Sequence, residues 1–112
     1  MTTNRRVQRV AERERVSMRE LEKLSGGPLT FGRLLEAIRL SDEIGQTAMA
    51  HKLGVSRQKL NDIENGRRFV SLERAARLAR ELGYLESQFV ELALQDQLSV
   101  AGLHFRVHVD AA

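Results

Sequence analysis

The apolar residues between positions 30 and 101 recur every three or four places, which is the spacing of one face of an α-helix. Glycines and capping residues divide this stretch into five predicted helices. Their approximate limits are 30–41, 46–53, 56–65, 71–82 and 84–101. Gly54 follows the second helix and Ser56 precedes the third, so the turn between them has only about three residues. The sequence therefore predicts a helical domain that contains one tight helix–helix turn.

The pattern changes to a period of two after Gly102, where apolar and polar residues alternate. The apolar positions are Leu103, Phe105, Val107 and Val109. This alternation predicts a β-strand within residues 102–112. A lone strand leaves its backbone amides and carbonyls unpaired, so we expect it to pair with the same strand of a second copy.

The first 27 residues are rich in Arg and Glu but have few apolar residues at helical spacing. The run from Ser25 to Pro28, which includes two glycines, interrupts any helix that begins there. We therefore expect three parts: a charged N-terminal arm over 1–27, flexible or helical; a domain over 28–101; and a C-terminal strand over 102–112. The predicted fold class is all-α, with five helices and that added strand.

The composition limits what the chain can do. Its 112 residues suffice for one domain, and 42% hydrophobic residues suffice for a core. No apolar run is long enough for a membrane span or a signal peptide, so we expect a cytoplasmic protein without membrane contact. The absence of cysteine excludes disulfides, thiolate zinc sites and cysteine nucleophiles.

No set of residues has the spacing of a catalytic or cofactor site. There is no paired-carboxylate cleft, no Ser-His-acid set and no glycine-rich phosphate loop after a strand. His104 and His108 would stand about 13 Å apart on the predicted strand, too far to share a metal ion. We expect no catalytic residue, no cofactor, no metal and no enzymatic activity.

The third predicted helix has one apolar and one polar side. Leu60 and Ile63 anchor it to the core, while the opposite side carries polar residues. These are Arg57, Gln58, Asn61, Asp62 and Asn65. Arg can bond guanine through two hydrogen bonds, and Gln or Asn can bond adenine in the same way. Two short helices with a tight turn and this polar side indicate a device that reads the major groove of DNA.

Residues 31–89 resemble the Cro/C1-type helix-turn-helix family of phage repressors and bacterial antitoxins, most specifically over 45–68, GQTAMAHKLGVSRQKLNDIENGRR. The resemblance implies a lambda-repressor-like fold. It implies that Gln46 bonds a phosphate and braces the first recognition residue. It implies base contacts by Arg57, Gln58, Asn61 and Asp62, backbone contacts by Lys59, Asn65, Arg67 and Arg68, and a partly buried ion pair between Arg39 and Glu64.

The sequence departs from the family pattern at two positions. Gly45 stands where the family usually supplies a Ser, Thr or Asn cap, so the second predicted helix is expected to begin less firmly. Asp62 repels phosphate, and it contributes only if it accepts a hydrogen bond from a cytosine amine.

The fifth predicted helix has two apolar sides, which indicates an interface. Leu85, Phe89 and Leu92 are expected to complete the core, and the other side is left for a second copy. The expected homodimer interface consists of Val90, Leu94, Leu98, Leu103, Phe105, Val107 and Val109. A dimer would place two recognition helices in successive major grooves about 34 Å apart.

We therefore expect a sequence-specific regulator of transcription whose partners are double-stranded operator DNA and a second copy. By resemblance, it is the antitoxin of a toxin–antitoxin pair that represses its own operon, with a cognate toxin as a further partner. The net charge of +3 fits this interpretation, because the basic excess lies within residues 1–70 and residues 71–112 are acidic. Two alternatives stay open: a stand-alone phage-type repressor, and a protein-interaction adaptor that uses the same fold without DNA.

Overall fold

A computed structural model describes residues 16–112, and over this range the chain is built from α-helices. The helices are α1 (Met18–Ser25), α2 (Phe31–Ser41), α3 (Gln46–Leu53), α4 (Arg57–Glu64), α5 (Leu72–Leu82) and α6 (Glu86–Val100). The last five begin and end close to the predicted limits, because polar caps and glycines mark their ends. The hydroxyl groups of Thr30, Ser56 and Ser71 accept from the third backbone N–H of α2, α4 and α5, respectively. No helix in the described part is long and apolar enough to cross a membrane.

The core lies between α2, α5 and α6, with Phe89 of α6 fully buried at its centre. The Phe89 ring meets Phe31 edge to face, with 5.6 Å between the ring centroids, and Tyr84 at 5.7 Å. Leu85 does not complete this core as expected. It is the residue that precedes the first turn of α6, so its side chain lies outside the buried face and is 65% exposed.

The prediction of five helices is wrong, because residues 18–25 of the expected arm form the additional helix α1. Ser17 caps its first turn and Gly26 ends it in the left-handed conformation, with φ of 83°. Leu21 is fully buried, and the Tyr84 hydroxyl donates a 3.1 Å hydrogen bond to the carbonyl of Val16. One buried leucine, two caps and this bond stabilise a helix whose apolar stripe is thin. The rest of the expected arm, residues 1–15, lies outside the described residues.

The prediction of a C-terminal strand is also wrong, because no strand occurs within residues 16–112. Residues 103–112, which we call the C-terminal segment, run back along α6 instead. The side-chain amide of Gln95 donates to the carbonyl of Phe105 at 2.8 Å and accepts from the N–H of Val107 at 2.9 Å. The carboxylate of Glu91 accepts from the N–H of Val109 at 3.0 Å. Side chains of α6 thus occupy the positions that a neighbouring strand would take.

Candidate nucleic-acid interface

Helices α3 and α4 form a compact unit because the turn between them is set by Gly54. This glycine ends α3 in the left-handed conformation, with φ of 69°, and the N–H of Val55 donates to the carbonyl of Ala50 at 3.0 Å. Ala50, Leu60 and Ile63 are buried, which fixes the inner side of both helices. Gly45 supplies no side-chain cap to α3.

Helix α4 also lies against α2 at a backbone-to-backbone contact. Gly32 of α2 is buried, and a Cβ atom at that position would overlap the carbonyl oxygens of Ile63 and Glu64. The close approach requires glycine, and it holds the C-terminal end of α4 at a fixed distance from the core. The polar side of α4 is left facing away from α2.

A buried ion pair joins α2 to the last residue of α4. The Arg39 guanidinium donates to both carboxylate oxygens of Glu64, with Nε–Oε2 at 2.9 Å and Nη2–Oε1 at 3.1 Å. The Glu64 side chain is only 2% exposed and that of Arg39 12%. The hydrogen bond from Glu64 is the main cause that raises the pKa of Arg39 above its ordinary value, against the opposing effect of burial. The structure thus brings together the two residues that the resemblance pairs.

Gln46, the first residue of α3, continues this hydrogen-bonded chain towards the surface. Its amide nitrogen donates to Glu64 Oε1 at 3.0 Å, and its amide oxygen accepts from the Asn61 side chain at 3.3 Å. The expected bracing of the first recognition residue, Arg57, is not among the contacts of Gln46 in the described residues. Gln46 contacts the fifth residue of α4, Asn61, so the middle of the helix is held in place.

The series of hydrogen bonds continues to Arg67, in the turn that follows α4. Its guanidinium donates to Asn61 Oδ1 at 2.8 Å and lies 3.2 Å from Asp62 Oδ1. Gln58 donates to the same Asp62 oxygen at 3.0 Å. The carboxylate of Asp62 is therefore paired with a cation and an amide, which offsets the repulsion that it would otherwise exert on a DNA phosphate. We call this series, from Arg39 through Glu64, Gln46, Asn61 and Arg67 to Asp62 and Gln58, the polar relay.

The remaining predicted contact residues lie at the edges of α4. Arg57 is exposed at its start, and Arg68 is exposed after its end. Asn65 is exposed as well and donates to the carbonyl of Asn61 at 2.8 Å. Lys59 lies in the first turn, where its backbone N–H is capped by Ser56 at 3.0 Å. All nine predicted DNA-contacting residues belong to α4, to the start of α3 or to the turn after α4.

Two basic residues of α5, Arg74 and Arg77, were not among the predicted contact residues. The pKa of Lys59 is lowered first by desolvation and then by the positive charges of Arg74, Arg68 and Arg77. A spacing of three residues places Arg74 and Arg77 on one side of a helix. That spacing, next to the predicted recognition helix, was the available signal.

The expected dimer residues lie on a different part of the molecule, along α6 and the C-terminal segment. Val90, Leu94 and Leu98 are half-buried within this chain, as are Val107 and Val109. Leu103 and Phe105 are 45% and 65% exposed. These residues thus combine a half-buried helix face with two exposed apolar side chains.

The comparisons with known proteins agree with this geometry. Residues 30–92, more than half of the chain, match a family model described as a helix-turn-helix domain. The match begins at the residue that caps α2 and includes α3, the turn at Gly54, α4 and α5. No curated protein and no solved structure matches the chain.

Proposed function

Because this chain belongs to the helix-turn-helix family of the Cro/C1 type, a family of DNA-binding regulators, we propose that it is a sequence-specific regulator of transcription that reads operator DNA with α4. The polar relay is the observation that carries this proposal. It fixes the middle of α4 by side-chain hydrogen bonds that begin at a buried charge. A helix whose polar side served only to face water would need no such support.

The individual residues suit distinct tasks within this interface. Arg57 and Gln58, in the first turn of α4, are exposed and can reach base edges. A good two-bond contact of this kind contributes roughly 1–3 kcal/mol of discrimination against the wrong base. Lys59, Asn65, Arg67 and Arg68 surround them and suit contacts to phosphate, while Asn61 and Asp62 hold the relay and adjoin the groove.

The proposed regulator acts as a homodimer. Two copies place two α4 helices on successive half-sites, which raises affinity beyond that of one short helix. Support comes from α6, where Val90, Leu94 and Leu98 are only half-buried, and from the C-terminal segment, where Leu103 and Phe105 present apolar side chains to solvent. In this proposal the two copies meet through side chains, and not through the strand pairing expected from the sequence.

We propose the antitoxin setting, in which the protein represses its own operon and is itself controlled by a toxin. The support is the resemblance of residues 31–89 to antitoxins of this class, together with the charged segment that precedes the domain. Copurification with the product of an adjacent reading frame, and repression of a reporter by the shared promoter, test this setting. A chain that represses the promoter but binds no neighbouring product is a stand-alone repressor.

Selection from a random duplex library tests the reading function. We expect the wild-type chain to enrich a two-fold symmetric site, and the variant Arg57→Ala with Gln58→Ala to lose discrimination between that site and random duplex. The control replaces the same residue types at exposed positions of α5 and α6, Arg80→Ala with Gln97→Ala. Helical circular dichroism should be unchanged in both variants. Equal enrichment by the Arg57/Gln58 variant would show that α4 is not the reader, and no duplex binding at all would favour the adaptor.

A further inference from the structure

The hydrogen bonds of the polar relay have a fixed direction. A carboxylate can only accept and a guanidinium can only donate, whereas a side-chain amide accepts at its oxygen and donates at its nitrogen. Gln46 donates to the buried carboxylate of Glu64, so its amide oxygen is the atom that meets Asn61. The amide oxygen of Asn61 in turn accepts from the guanidinium of Arg67 at 2.8 Å.

Asn61 is therefore engaged at both ends of its amide within the protein. A two-bond contact to adenine needs the oxygen and the nitrogen of one amide together. In Asn61 the nitrogen already donates to Gln46 at 3.3 Å and the oxygen already accepts from Arg67. A base contact would compete with both bonds, which favours a positioning task for Asn61 over a reading task.

Gln58 and Asp62, which are four residues apart on α4, end the series with acceptor atoms that are not used. Gln58 Nε2 donates to Asp62 Oδ1 at 3.0 Å, and Arg67 Nε donates to the same oxygen at 3.3 Å. Neither Asp62 Oδ2 nor Gln58 Oε1 has a hydrogen-bond partner within residues 16–112. Gln58 is exposed and Asp62 is half-buried. This end of the polar relay thus offers oxygens to a ligand outside the chain.

Such oxygens fit the amino groups that two bases expose in the major groove, N4 of cytosine and N6 of adenine. Guanine and thymine expose acceptors instead, which repel another acceptor. Adenine also exposes the acceptor N7 beside its amine, and this atom repels a carboxylate. Cytosine exposes its amine without an acceptor of its own. A carboxylate oxygen therefore favours cytosine over the other three bases.

We propose that Asp62 Oδ2 accepts a hydrogen bond from the N4 amine of cytosine and so determines one base of each half-site. Arg67 and Asn61 are positioning residues in this arrangement, because Arg67 holds Asp62 through Oδ1 and Asn61 holds Arg67. This inference rests on the proposed function and names the base that this part of α4 recognises.

Base substitution in the site that the wild-type chain selects tests the assignment. We expect one position in each half-site where replacing C·G by any other pair lowers affinity about tenfold or more. Asp62→Asn, which keeps the shape of the side chain and adds an N–H donor, should abolish that preference while the rest of the site is still enriched. Asn61→Ala should lower affinity without removing a preference for adenine at any position. Asp110→Asn, the same substitution within the C-terminal segment, is the control and should change no preference.

A modified base tests the same hydrogen bond without a protein variant. N4-methylcytosine carries a methyl group in place of the amine hydrogen that faces the major groove, and it keeps the hydrogen that pairs with guanine. At the assigned position it should therefore lower the affinity of the wild-type chain about tenfold. The same modification at cytosines outside the half-sites is the control and should have no effect.

The outcomes separate this inference from the function on which it rests. A selected site without a cytosine preference that depends on Asp62, or wild-type affinity for the methylated site, overturns the assignment and leaves the reading function standing. Loss of an adenine preference in Asn61→Ala also overturns it, because Asn61 would then be a reader. Absence of any enriched site overturns both. If Asp62→Asn fails to fold by circular dichroism, the methylated site alone decides.

Discussion

Around α4 the polar side chains bond to one another from a buried charge outwards, whereas along α6 they bond to the backbone of the C-terminal segment near the surface. Glu64 at the origin of the first set is 2% exposed in its side chain, while Glu91 in the second set is 33% exposed. Water can replace a lost partner in the second region but not in the first. The same types of bond should therefore differ severalfold in their effect on stability.

The largest effect is expected at the buried ion pair. Glu64→Ala leaves the guanidinium of Arg39 without its carboxylate partner, with only the carbonyl of Ile44 as acceptor, and also removes a partner of Gln46, so we expect a loss of about 3–5 kcal/mol in the free energy of unfolding. The control is Glu36→Ala, which removes the exposed pair with Arg33 and should cost about 0–1 kcal/mol. Denaturant titration measures both. Equal losses in the two variants would contradict the contrast between the regions.

The second-largest effect on stability is expected at the backbone contact between α2 and α4. Gly32→Ala forces a methyl group against the carbonyl oxygens of Ile63 and Glu64, and overpacking of this kind costs about 1–3 kcal/mol. Gly27→Ala is the control, because a Cβ atom there meets nothing within 4 Å. Thermal unfolding of the two variants should therefore differ. A wild-type melting temperature in Gly32→Ala would mean that α4 can move away from α2 without loss.

A smaller effect is expected where the C-terminal segment meets α6. Gln95→Ala removes the hydrogen bonds to the backbone of Phe105 and Val107, at a cost of about 1 kcal/mol near the surface. Hydrogen exchange should accelerate at the Val107 amide and stay unchanged within α4. Gln97→Ala, at an exposed position two residues further on, should alter neither. Unchanged protection of the Val107 amide in Gln95→Ala would show that Gln95 does not hold the C-terminal segment in place.

The smallest effect is the pH dependence contributed by Asp96 of α6, which accepts from the N–H of Phe31 at the start of α2 at 2.9 Å. Burial raises the pKa of this carboxyl, against the opposing effect of that hydrogen bond. The folded state thus favours the protonated form. Its contribution is fully present below the ordinary pKa of Asp and is lost as the pH rises through the raised value. Asp96→Asn, which stays neutral and keeps an acceptor oxygen, should flatten the dependence of unfolding free energy on pH over this range, as measured by denaturant titration at a series of pH values.

Sequence reasoning predicted the region around α4 well because local signals agree there. Ser56, Gly54 and the spacing of Leu60 and Ile63 each point to the same pair of short helices. The partners within the polar relay were harder to predict. That Gln46 contacts Asn61 depends on the angle between α3 and α4, which no periodicity encodes.

The C-terminal segment shows why a period of two was not sufficient. Alternation of Leu103, Phe105, Val107 and Val109 describes an extended chain, but it does not specify what satisfies the backbone. Here the amide of Gln95 does so from α6 in the same chain, and a single glutamine in a helix carries no signal of that task. Helix α1 was underestimated for a related reason, because its stability depends on burial of Leu21 and on a hydrogen bond from the distant Tyr84 to Val16.

The polar relay also determines whether side-chain conformational entropy is lost on folding or on association. Immobilising a long, flexible side chain costs roughly 0.5–1.5 kcal/mol if it happens on association. Asn61 already hydrogen-bonds to both Gln46 and Arg67, so part of that loss accompanies folding. On the proposed function, unbound α4 thus presents a hydrogen-bonded centre flanked by Arg57, which is exposed in the first turn and would be ordered only on binding DNA.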